Sequence, residues 1–162
     1  MATLLVQLSA AAAFLAFAFW LFRLAMGLRY AKVLREEARR AEQARGRRLI
    51  AEVPAPSGEL LLFFEGRESF LWGERSFAKP EILGARLLLN RRAVAACSRP
   101  GVVLPPGEPE EEYDGRERWD VALSLSGGEV VTITCGTLRE GVSREAAQRV
   151  FDAVSRVVGE PG

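Results

Sequence analysis

Residues 3–22 read TLLVQLSAAAAFLAFAFWLF, an apolar run interrupted only by Thr3, Gln7 and Ser9, and residues 1–22 hold no charge. About 20 such residues in a helix suffice to cross a hydrocarbon core of roughly 30 Å. A helix also satisfies every backbone N–H and C=O internally, as lipid demands. The expectation is a transmembrane anchor over residues 1–26. A cleaved signal peptide would need a basic stretch before the run and small residues after it. Here the run ends in Phe19-Trp20-Leu21-Phe22, and no Lys or Arg precedes it.

Arg23, Arg29, Lys32, Arg35, Arg39 and Arg40 follow the run closely. Basic residues are retained on the cytoplasmic side, so the expected arrangement is single-pass in the inner (cytoplasmic) membrane. The N-terminus would lie outside and the C-terminal domain in the cytoplasm. Trp20 and Tyr30 stand where amphipathic rings prefer the headgroup layer. With Arg23, Arg29 and Lys32 they make the expected membrane-interface set.

Net charge hides an asymmetry that points the same way. Residues 23–48 hold 9 basic and 3 acidic side chains, and residues 49–162 hold 13 basic and 18 acidic. Positive charge is concentrated beside the apolar run, where an anionic leaflet attracts it. The remainder is mildly acidic, which argues against nucleic acid as a partner.

The sequence has no histidine, the commonest general base and metal ligand. Cys97 and Cys135 are far apart and form no metal-ligand spacing; in a reducing cytosol they are expected to be free thiols. Residues 136–143, GTLREGVS, sit between a strand and a helix as a phosphate-binding loop would. That motif needs Lys before the Ser, and this chain has Val142. A weaker anion preference at the last helix, helped by Arg139 and Arg144, remains. Glu108, Glu110, Glu111, Glu112 and Asp114 lack the calcium-loop spacing. Glu110, Glu111, Glu112 and Asp114 instead suit docking to a basic partner surface. No catalytic residues, metal or cofactor are expected.

Past the anchor, residues 31–45 are strong helix formers with Lys32–Glu36 and Glu36–Arg40 as i,i+4 pairs, predicting a helical stalk over 27–50. Leu24, Gly27, Ala31, Leu34, Ala38 and Ala41 follow a 3–4 spacing that permits a homodimer without favouring it. Residues 51–58, with Pro54 and Pro56, read as a linker. Strands are expected at 59–64 and 69–72, at 82–89 and 93–97, and at 118–126 and 129–135, with a loop at 76–80. Ser143 reads as the N-cap of a last helix whose Ala147, Val150, Phe151, Val154, Val157 and Val158 form one apolar stripe. Residues 159–162 are a tail.

The hairpin 59–72, the strand pair around Gly127-Gly128 and the helix 143–158 together resemble the PH-like domains of bacterial membrane-anchored proteins. The resemblance covers residues 59–158 and implies an α+β fold, a bent antiparallel sheet capped by a C-terminal amphipathic helix; the strands read from this sequence make a small sheet or partial barrel of about six, where that family has seven. It carries over no lipid-binding residues. The functional expectation is a non-enzymatic binding or scaffold protein that presents this domain to a membrane complex. Its partners would be the lipid bilayer and a membrane protein. The alternatives are an anionic-lipid-binding module and an enzyme of unrecognised chemistry.

Overall fold

The computed structural model describes residues 2–54, 60–105, 117–136 and 140–159, less the side chains of residues 2–13, 15, 25, 28, 31, 35 and 140–142. The chain divides into two compact units, Met1–Ala41 and Glu42–Gly162.

The first unit is one helix, α1, spanning Ala2–Ala44 and ending in the second unit. Its strong helix formers explain its length: from Ala31 onward, Arg, Glu and Ala continue without a breaker until Gly46. Gly46 closes it at φ +76°, its N–H donating to the Gln43 carbonyl. The expected membrane-spanning helix over 1–26 is corrected: among the described residues no helix is long and apolar enough to cross a membrane.

The second unit is α+β. Two antiparallel sheets of four strands replace the expected single sheet of about six. In the first sheet β1 (Arg48–Pro54), β2 (Leu60–Glu65), β3 (Ser69–Trp72) and β4 (Arg75–Ala78) lie in sequence order. After a 3₁₀ turn at Lys79–Glu81, the second sheet takes β5 (Ile82–Leu89), β6 (Arg92–Ser98), β7 (Trp119–Leu125) and β8 (Val130–Thr134). Its spatial order is β6-β5-β7-β8, so β5 and β7 are central. The two extra strands are β1, which takes residues expected to be stalk and linker, and β4, which takes part of the expected loop.

The core lies between the sheets and α2, Glu140–Gly159. Phe63, Phe70, Ile82, Leu123 and Ile133 are fully buried within it, with Ala147, Val150 and Val154 from the helix. Phe63 and Phe70 stack at 5.5 Å between ring centroids. The helix begins before Ser143, which is buried in its first turn rather than capping it.

Glu65 ties several elements together. Its carboxylate meets Arg48 of β1 at 2.7 Å, Lys79 of the 3₁₀ turn at 3.2 Å and Arg156 of α2 at 4.0 Å. Burial pushes its pKa up, but the Arg48 and Lys79 hydrogen bonds and charges outweigh burial and hold it below the ordinary value. A carboxylate depressed in the folded state stabilises above its unfolded pKa, and that contribution is lost as pH falls through the folded one. Glu65→Gln is expected to cost about 1–2 kcal/mol at neutral pH. Urea unfolding as a function of pH should show the deficit closing in acid.

Candidate functional site

Strand β5, ILGARLLL, is apolar on both faces except for Arg86. Such a strand is covered on both sides. Ala85 and Leu87 face the core, which leaves Gly84, Arg86 and Leu88 for the opposite face. In register with them on β7 stand Ser124, Ala122 and Asp120. This second face is buried at its centre: Asp120 is 1% exposed, Ser124 5% and Arg86 8%. Leu88 and Ala122 are buried there too, apart from the main core. The outer strands of the same face, at Ala96, Ser98, Val130 and Thr132, are exposed.

The cover includes residues 102–105. Arg99 starts it, donating from its side chain to the Ile82 and Lys79 carbonyls at 2.9 and 3.1 Å. Leu104 lies over Gly84, and Arg86 Nη1 donates to the Pro105 carbonyl at 2.8 Å. Gly84 is required there: a Cβ would meet Leu104 Cδ2 at 2.5 Å and the Cys97 carbonyl oxygen at 2.6 Å.

Polar groups on this buried face are incompletely matched. Among the described residues, Arg86 Nε, Asp120 Oδ1 and Ser124 Oγ are buried without a hydrogen-bond partner. Each such group costs on the order of 1–3 kcal/mol, so three on one face are a concentrated penalty. Native proteins keep few such groups, so three on one face make it the candidate site.

Asp120 is the most buried member. Its Oδ2 lies 2.8 Å from Arg118 Nε. Desolvation pushes its pKa above the ordinary value, against the pull of Arg118, the Cys135 backbone N–H and Arg91. A raised carboxyl means the folded state holds the proton more tightly, so stability falls as pH rises from the unfolded toward the folded pKa. The Asp120→Asn variant is therefore expected to gain on the wild type through that window. Paired thermal melts taken upward in pH from the ordinary aspartate value of 3.8 check the sign.

The turn beside this corner is built under strain. Asn90 and Arg91 join β5 to β6 at φ +49° and +66°, the mirror-image turn that matches strand twist. Asn tolerates this conformation, while Arg pays for it. The turn is clasped to β7: Asn90 N–H donates to the Arg118 carbonyl and Asn90 Oδ1 accepts from Arg118 N–H, both at 2.8 Å. On the core side, Arg144 of α2 stacks over the Trp119 ring at 5.5 Å.

The residues singled out from sequence fall elsewhere. Trp20, Arg23, Arg29, Tyr30 and Lys32 are all on α1 and exposed. Glu110, Glu111, Glu112, Asp114 and Arg139 lie outside the described residues. Cys97 and Cys135 are both free thiols. Burial and the Asp120 charge push the Cys135 thiol up to about 12, far from a thiolate nucleophile at neutral pH. Ser155 Oγ lies 3.1 Å from Cys97 Sγ. Among the described residues no group of three or more metal-ligating side chains gathers. Arg86, Asp120 and Ser124 were missed by sequence reasoning, because residues alternate with Val121 and Leu123 as a solvent face would. A lone arginine inside an apolar strand was the available signal.

No protein-family model, no curated protein and no solved structure matches this chain.

Proposed function

We propose that this chain is a non-enzymatic binding or scaffold protein that works at a membrane and brings its β-rich body to a membrane complex. The observation that carries this reading is the surface of α1. Phe14, Phe17, Phe19, Trp20, Phe22 and Met26 are all more than half exposed. A contiguous apolar surface of this kind belongs where a protein meets lipid or another protein. Arg23, Arg29 and Lys32 follow it, placing positive charge beside the aromatic cluster. The chemistry on the second unit also favours binding over turnover. There is no histidine to serve as base, and the Cys135 thiol is held protonated.

Affinity purification of the full chain from mild detergent is expected to recover a membrane complex at defined stoichiometry. Recovery of the bare chain alone contradicts the reading. A second reading, as an anionic-lipid-binding module, is favoured by the exposed Arg23, Arg29 and Lys32. It predicts flotation with anionic but not neutral vesicles, weakened by salt and by glutamine at those three positions.

A further inference from the structure

The buried face of the second sheet is covered by ordinary peptide. Along residues 102–105, Val103 points away at 93% exposure and Leu104 seats against Gly84. The Pro105 carbonyl takes one N–H of Arg86, while Arg86 Nε has no partner. A guanidinium is a planar fork suited to the two oxygens of a carboxylate; a neutral carbonyl offers it one. Gly84 stands in register with Ser124, whose hydroxyl is also buried and unpartnered. The strap fits the notch and half-satisfies the arginine.

We infer that this face is a docking groove for the C-terminal peptide of a partner protein, and that residues 102–105 occupy it in cis until such a peptide displaces them. A partner ending in leucine-proline would put its leucine over Gly84. Its terminal carboxylate would lie where the Pro105 carbonyl lies, adding a charge and a second oxygen for Arg86. Capture of a terminal carboxylate is a recurrent mode of peptide recognition. The strap competes from within the same chain, at an effective concentration on the order of millimolar, and so screens out weak ligands. This inference deepens the reading of the chain as a binding protein and rests on it.

The test uses the full chain and the synthetic peptide Gly-Val-Val-Leu-Pro as free acid and as amide, followed by calorimetry. The acid is expected to bind at least about tenfold more tightly than the amide. Leu104→Gly, which loosens the strap, should tighten the acid by roughly tenfold. Arg86→Gln should abolish the preference for acid over amide. Should that variant fail to fold, Arg86→Lys keeps the charge without the fork and should reduce the preference several-fold. Equal binding of acid and amide, or no binding even to Leu104→Gly, overturns the inference. None of these variants touches α1, so failure here leaves detergent recovery of the membrane complex unchanged. Loss of that complex with peptide binding intact would instead sink the membrane reading alone.

Discussion

Phe63→Ala is expected to destabilise the second unit by about 3–5 kcal/mol, the largest effect of any single truncation considered. The ring is fully buried, on the central part of the first sheet, and stacks on Phe70 at 5.5 Å. Removing it takes away both its own transfer free energy and the partner face on which Phe70 rests. Small domains of this size have total stabilities of roughly 5–15 kcal/mol, so the variant should lose about a fifth or more of its margin. Chemical denaturation should show the midpoint falling while the slope is kept. A loss under about 1 kcal/mol would mean that the two sheets do not share one core.

Gly136→Ala should be nearly as severe, at about 2–5 kcal/mol. Two independent costs meet at that position. Its φ of +95° lies where side-chain-bearing residues are strained. An added Cβ would also stand 2.6 Å from Pro54 Cγ, at the end of β1. Gly136 is therefore where the end of the second sheet closes on the first, and neither neighbour can give way cheaply. Gly101 is the internal control. It has a similar φ of +78° but no atom within 4 Å of an added Cβ, so its alanine variant should show the backbone cost alone. Thermal melts of the two variants separate strain from overlap. Equal losses would remove the claim of close approach at Pro54.

Much of the second unit could be read from sequence because its signals are local. Val131 and Ile133 alternate with polar residues, Gly127-Gly128 marks a turn, and the valine stripe of α2 has helical spacing. Strand β1 was hidden because Ile50, Ala51 and Val53 follow a long helix-forming stretch and precede prolines, so breakers drowned the alternation. A register irregularity between Leu49 and Ala51 breaks the period further. Strand β4 has one apolar core residue, Phe77, too few for any period. The start of α2 was misplaced because Ser143 has the chemistry of a cap, while tertiary packing buries it inside the helix. The apolar run at the N-terminus predicts a spanning helix by its length, its lack of charge and the basic residues after it, whereas no helix among the described residues is long and apolar enough to cross a membrane.

The polar row was not legible for a deeper reason. Asp120 and Ser124 sit at positions that local pattern assigns to water. Only long-range packing makes them buried, and residues 102–105 folding back over Gly84 and Arg86 of β5 are one part of it. The sequence contains both parts but nothing that says they meet. Even so, Arg86 within an apolar strand and Gly84 two residues earlier are the positions on which that covered face depends.

The central claim is that this face is covered and polar, with Asp120 held out of water. Carbon-detected NMR titration of the Asp120 side-chain carboxyl in the full chain tests it most directly. The account predicts an Asp120 pKa above the ordinary aspartate value, because burial outweighs the pull of Arg118. An ordinary or lowered value would contradict it.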